Sequence, residues 1–218
     1  MVAEKAWEVQ AFLRLRRAVY TERLGWAAAS GPVEIDHYDS LGPTYVVYED
    51  ESGGIICGAR LLPTTGPTMV GGPFRAAFDE APPASPLIWE SSRYCVSPAL
   101  SDPHVVREVS AELFAAGIEW MVRNGVAEVV TFAEPAVIRM IGSMGAPARL
   151  RTRIYRDLSS PGMAAIIPLS EQVVGDLRSF ARRERGARQP TRARRARREN
   201  GFRNGEIEAP IAAAGSAA

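Results

Sequence analysis

The stretch Leu87-Ile88-Trp89-Glu90-Ser91-Ser92-Arg93-Tyr94-Cys95-Val96 reads as a strand, because Ile88, Trp89, Tyr94 and Val96 favour a pleated, half-buried surface. It nevertheless carries an acid and a base. Charge inside a sheet is costly unless it is paired or put to use. Glu90 and Arg93 are three residues apart and point to opposite faces of a regular strand. Bringing them to one face takes a bulge, or partners on neighbouring strands. Such breaks of a local rule concentrate at functional sites.

Working outward, residues 44–49 and 55–62 read as two strands joined by Asp50-Glu51-Ser52-Gly53-Gly54, a hairpin. Arg60 sits among apolar neighbours in the second, and alternation alone leaves it an outward-facing residue. Residues 4–24 form an amphipathic helix, with Trp7, Ala11, Leu15 and Val19 spaced by four and Gly25 placed to cap its end. Arg16 and Tyr20 share a face displaced from that stripe, so helix pattern alone makes Arg16 a solvated arginine. Trp26 is either a core plug or a pocket wall. Residues 34–39 are an acidic loop of the kind that is usually solvated. Residues 63–86 are an ordered loop anchored by Met69, Val70, Phe74 and Phe78. Downstream come a helix over 105–124, a continuous apolar strand over 126–133, a short helix over 136–144, an edge strand over 149–158 and a buried strand over 164–169. Together they describe an α/β protein with a mixed sheet flanked by helices.

With 218 residues, 46% hydrophobic and 23% charged, the chain suffices for one sizeable core. No apolar run approaches the roughly 20 residues that span a bilayer, and no secretory signal opens the chain, so a soluble, cytoplasmic protein is expected. Cys57 and Cys95 lie in apolar runs and read as reduced, packed thiols. With only His37 and His104, no Cys/His metal cluster can be assembled, and no metal is expected. The net charge of +1 is uneven: residues 178–198 hold ten arginines against Glu184, leaving the remainder at −8. The division expected is a folded domain over 1–177 and an arginine-rich, disordered or loosely helical tail over 178–218. Such a tail can bind nucleic acid, but no recognised nucleic-acid module accompanies it, and a solubilising tail is preferred. Truncation after Leu177 separates these readings, since only a nucleic-acid binder needs the tail.

In order and spacing, the polar residues form four motifs: Leu15-Arg16 through Tyr20 to Leu24-Gly25-Trp26; Glu34-x-Asp36-x-Tyr38-Asp39; Gly58-Ala59-Arg60-Leu61-Leu62-Pro63-Thr64 with Pro67 and Met69; and Glu90-Ser91-Ser92-Arg93 with Val96. Over roughly residues 13–169 the chain resembles the acyl-homoserine-lactone synthases, the LuxI-type autoinducer synthases of quorum sensing. The resemblance implies a GNAT-like three-layer α-β-α fold with a central mixed, mostly antiparallel twisted sheet. It also implies transfer of an acyl group from an acyl carrier protein or coenzyme A thioester to S-adenosylmethionine, with lactone closure and release of methylthioadenosine. The family's polar set carries over to Arg16, Trp26, Asp36, Asp39, Arg60, Glu90 and Arg93. Two features depart from it: Tyr20 replaces the usual phenylalanine, adding a hydroxyl that needs a partner, and the short N-terminus leaves little room for a first strand.

On this resemblance Glu90 is the base for the substrate amine, with Arg93, Arg60, Asp36 and Asp39 fixing it and the substrate's charged ends. Arg16, Tyr20 and Trp26, with Asp36, Asp39 and Arg93, hold S-adenosylmethionine, which is a substrate, so no cofactor is expected. The acyl chain falls to Met69, Phe74, Val129, Thr131 and Met140, with core packing the alternative for each. Thr131 aligns with a hydroxyl that relatives associate with 3-oxo chains. Arg139, Arg149, Arg151 and Arg153 offer a basic dock for an acidic carrier or for coenzyme A phosphates. The rival, an N-acetyltransferase of the same fold using acyl-CoA on another amine, should show an Arg/Gln-x-x-Gly-x-Gly/Ala loop. Residues 139–144 and 172–177 both fail at its last position.

Overall fold

The computed structural model describes residues 1–26, 31–156 and 161–188. Six strands form one sheet: β1 (Thr44–Glu49), β2 (Ile55–Pro63), β3 (Ile88–Val96), β4 (Glu128–Ala133), β5 (Arg149–Leu150) and β6 (Met163–Pro168), in the order β1-β2-β3-β4-β6-β5. Every neighbouring pair is antiparallel except β3 and β4, which run parallel. Four α-helices accompany it: α1 (Ala6–Arg16), α2 (Pro103–Arg123), α3 (Pro135–Ser143) and α4 (Glu171–Arg188).

Strand alternation sorts the side chains to two faces. Tyr45, Val47 and Cys95 pack against Phe12, Leu15 and Val19, while Val46, Ala59, Leu61, Val129 and Ile167 pack beneath α2 and α4. The first face continues over β4 and β6, where Val70 and Phe78 of the long loop cover Val130, Ala164 and Ile166. The result is the expected three-layer α-β-α arrangement around a mixed, mostly antiparallel sheet. Gly58 lets α1 lie close, since a Cβ there would meet the Phe12 ring at 2.5 Å.

Several expectations change. The first helix is α-helical only to Arg16 and then widens into a π-helical stretch, Arg17–Arg23, before Gly25 ends it in the left-handed region at φ 65°. Its buried face runs through Phe12, Leu15, Arg16 and Val19, and Trp7 is exposed. The strand expected over 149–158 is only two residues long. Past Leu150 the Thr152 hydroxyl accepts the Ala164 N–H at 2.8 Å, replacing a main-chain partner, and Tyr155 makes a single bridge to Gly162. Residues 157 and 158 lie outside the described residues. Residues 1–3 pair with the outer edge of β1 through Val2 and Val46, so that edge is covered despite the short N-terminus.

The boundary after Leu177 is also corrected. Helix α4 runs on to Arg188, Ala181 is fully buried, and Arg185 and Arg188 both pair with Glu108 of α2. Residues 178–188 therefore belong to the folded body; 189–218 lie outside the described residues. A truncation that tests the arginine-rich segment without damaging the body belongs after Arg188. Among the described residues no helix is long and apolar enough to cross a membrane.

Leu177 is fully buried in the α2–α4 core. Leu177→Ala should lower stability by about 2–5 kcal/mol in urea denaturation. Arg178→Ala, which removes a largely exposed pair with Glu119, should change it by less than about 1 kcal/mol.

Candidate active site

The conflict in β3 is resolved by a bulge. Gly58 pairs with Cys95 and Arg60 with Ser92, so two residues of β3, Arg93 and Tyr94, stand opposite Ala59 alone. Arg93 takes up the extra length with φ 55°, the left-handed conformation that costs a non-glycine residue roughly 1–2 kcal/mol. The step keeps Arg93 on the face of Glu90 and Ser92. It sends Tyr94 to the opposite face, where its hydroxyl meets Ser110 of α2 at 2.6 Å.

On the Glu90 face, three arginines interlock with three carboxylates. Arg16 Nε donates to Glu34, and its two Nη atoms donate to the two Asp39 oxygens at 2.7 and 3.0 Å. Arg60 donates through Nη1 to Asp36 and Asp39 and through Nε to Ser92 Oγ at 3.2 Å. Arg93 reaches Asp36 at 2.8 Å and Glu34 at 3.2 Å. Tyr45 adds its hydroxyl to Asp39 at 2.7 Å, and the Arg60 guanidinium lies over the Tyr38 ring. The 3₁₀ turn His37–Leu41 presents the acids: Asp36 caps it by accepting from Tyr38 N, and Asp39 accepts the Asp36 N–H in return.

Arg16 and Arg60 have no exposed surface, which overturns the solvated and outward-facing readings that local pattern gave them. Arg16, expected among the substrate-binding residues, has its donors on Glu34 and Asp39 and holds these carboxylates in place. Burial alone would raise the Asp39 pKa, but the Arg16 hydrogen bonds, the Asp36 amide and Tyr45 hold it far below the usual carboxylate range.

Glu90 stands outside this balance. It is 1% exposed, accepts the Val70 N–H at 2.7 Å through Oε2, and has no hydrogen-bond partner for Oε1 among the described residues. Among the described residues it takes part in no ion pair. Burial raises its pKa above the ordinary value, opposed by the Val70 and Met69 amides, Ser92 and the Arg60 charge. Arg93 does not pair with Glu90, as the sequence suggested. The link runs through Met69, whose sulfur lies 3.3 Å from Arg60 Nη2 and 3.5 Å from Arg93 Nη1, and whose neighbour Val70 holds Glu90. Met69 therefore serves the charged cluster as well as the cavity wall.

Pairing between β3 and β4 ends at Ser91 and Thr131, and beyond that point a cavity of roughly 430 Å³ is lined from both faces of the sheet. Tyr20, Trp26, Met69, Phe74 and Arg93 line it on the charged side. Val129, Thr131 and Met140 line it with the α2 side chains on the other, so all five residues expected to hold an acyl chain border this space. Trp26 is a pocket wall rather than a core plug, being 38% exposed at 6.1 Å from the Tyr20 ring. The Tyr20 hydroxyl finds its partner in the Tyr94 carbonyl at 2.5 Å, and Arg93 lies over the Tyr20 ring. Sequence reasoning missed three contributors. Glu34 was visible in its motif but given no role, Tyr45 was visible as an ordinary strand aromatic, and Phe132, stacked on Phe74 at 4.3 Å, as strand packing.

A mixed sheet split between two parallel strands, with an apolar slot entering the split, is an acyltransferase architecture. A solved protein from Lactobacillus plantarum, described as an N-acetyltransferase, shares the fold at TM-score 0.57 with 19% identity, covering 78% of this chain and 97% of its own. Residues 3–171 match the family model described as autoinducer synthase. The acyl-homoserine-lactone synthase of Rhizobium etli is 37% identical over 148 residues, 65% of this chain and 70% of that protein. TofI, solved in a ternary complex with an inhibitor and MTA, superposes at TM-score 0.71 with 25% identity over 83% of this chain and 98% of its own. The chain belongs to the autoinducer synthase family.

Because the folded-state pKa of Asp39 is depressed, it contributes stability above the ordinary aspartate pKa, and that contribution is lost as pH falls through the folded value. The urea midpoint of the wild type should fall more steeply between pH 5 and pH 3 than that of Asp39→Asn. Arg16→Ala, which takes from Glu34 and Asp39 one of the two arginines that each contacts, should cost about 3–5 kcal/mol at neutral pH in the same assay.

Proposed function

We propose that the chain is an acyl-homoserine-lactone synthase, joining the acyl group of a thioester to the amine of S-adenosylmethionine and closing the lactone with release of methylthioadenosine. The observation that carries the reading is an apolar cavity walled by Met69 and Ser91, chain neighbours of the Val70–Glu90 contact, next to a buried carboxylate that forms no ion pair among the described residues. Three arginines balance Glu34, Asp36 and Asp39, so ionised Glu90 leaves one unbalanced negative charge. S-adenosylmethionine, with an ammonium, a sulfonium and a carboxylate, brings the single positive charge that complements it. Arg93 has capacity for the carboxylate: among the described residues its buried Nε has no hydrogen-bond partner, and its Nη1 lies 3.5 Å from the weakly accepting Met69 sulfur.

In the first step Glu90, directly or through a water, takes a proton from the ammonium. The free amine attacks the thioester carbonyl, the C–S bond breaks, and the carrier thiol departs. In the second, the substrate carboxylate attacks the carbon bonded to the sulfonium, and the thioether leaves as neutral methylthioadenosine. No acid is needed for that departure, and no cofactor is needed, since S-adenosylmethionine is itself consumed. Tyr20 and Trp26 flank the adenosyl side. TofI was solved with MTA, the product that this reaction releases. Arg139, Arg151 and Arg153 are exposed and suit an acidic acyl carrier protein or the phosphates of coenzyme A, whereas Arg149 is engaged by Glu128.

Purified protein incubated with S-adenosylmethionine and acyl thioesters on both carriers should yield an acyl-homoserine lactone and methylthioadenosine by mass spectrometry. Absence of both with every donor would end the proposal. Glu90→Gln should cut turnover about 10²–10⁴-fold. It should also keep or raise neutral-pH stability, because a carboxyl with a raised folded pKa loses stability as pH climbs through that value. For the wild type, kcat/KM should decline as pH falls through that raised pKa. Tyr20→Phe should raise the KM for S-adenosylmethionine several-fold with little change in kcat, since the lost hydrogen bond orders the cavity wall and makes no contact with the reacting atoms.

A further inference from the structure

The inner end of the cavity is bounded by α2, and one residue there fits neither helix formation nor packing. Gly117 lies in the interior of this 21-residue helix, where glycine is disfavoured relative to alanine by backbone entropy. Packing does not require it. The heavy atoms nearest to a Cβ at this position belong to the Val46 side chain, the closest at 3.5 Å, which is ordinary van der Waals contact. Alanine would thus strengthen the helix and bury a methyl group without displacing a neighbour. Gly117 is buried and borders the cavity together with Val46, Ala59, Leu113 and Met121. Like Ala59 in the same lining, it leaves open a space that a larger residue would narrow.

We infer that Gly117 is a specificity-determining residue: the missing side chain keeps the α2 wall of the cavity open for the distal carbons of a straight aliphatic acyl chain. This rests on the synthase reading above, in which the thioester end sits beside Glu90 and Arg93. A chain reaching Gly117 from there runs from the charged side of the cavity to the α2 wall. Side-chain atoms added at Gly117 would occupy the volume of its last carbons and leave the charged cluster, on the other face of the sheet, untouched.

The test compares wild type, Gly117→Ala and Gly117→Val across saturated straight-chain donors from butanoyl to dodecanoyl. Each variant should move the optimum of kcat/KM to shorter chains, the valine variant further, with about tenfold or greater loss on the longest good wild-type substrate. The KM for S-adenosylmethionine should be unchanged, and Gly117→Ala should melt about 2–4 °C higher. An unchanged chain-length profile in a folded valine variant would overturn the inference. Titrating the same acyl-CoA series into each protein by calorimetry, without S-adenosylmethionine, separates this from failure of the synthase reading. If no lactone forms but long-chain affinity drops in the variants, the cavity assignment stands and the reaction is wrong. Equal affinities in all three proteins would sink the inference whatever the reaction.

Discussion

Two fully buried arginines, with a third beside them, set the terms for the rest of this structure. A guanidinium cannot shed its proton to escape burial, so Arg16 and Arg60, with no exposed surface, and Arg93 beside them, need carboxylates within reach. Glu34, Asp36 and Asp39 supply them from one short loop, which ties α1, the 3₁₀ turn, β2 and β3 into a single charged layer. The ions come from four separate segments, so the layer has little freedom to rearrange once the sheet has formed. A rigid, internally neutral layer is what gives the fourth acid its character. Glu90 is buried among groups already paired to one another, and its pKa is raised by desolvation.

The bulge in β3 and the end of β3–β4 pairing act together. The bulge delivers Arg93 to the charged face at the cost of a left-handed backbone, and just before it the strand loses β4 as a partner. The sheet thereby becomes permeable at one point: ionic chemistry lies on one face and apolar volume on the other. A substrate with a charged head and a reaction partner with an aliphatic tail can meet there without either crossing the wrong environment. Met69 stands at this junction, its sulfur toward two guanidinium groups and its side chain in the cavity wall.

Most of the fold was legible in the sequence, because strand alternation and the α2 periodicity report burial directly. The errors fell where side chains or distant elements decide. The strand expected over 149–158 stopped when Thr152 substituted its hydroxyl for a backbone partner. The end of the folded body was placed too early, because Ala181 carries almost no hydrophobic signal and the Glu108 partners of Arg185 and Arg188 lie on another helix. The candidate site was legible as a set of residues through its motifs, but Glu34, Tyr45 and Phe132 were missed. Their residue types are unremarkable at their positions, and only their contacts mark them.

What the sequence by itself determined was the strand at residues 88–96, the conflict of charges within it and the family to which its motifs point. Those are properties of residue type and spacing. The tertiary structure decided that Glu90 and Arg93 share a face, that Arg16 supports carboxylates, and that Met69 joins the charged layer to the cavity. Each depends on register and on contacts between segments distant in the chain. A one-residue shift in strand pairing reverses every side chain after it, and no local pattern records where that shift occurs.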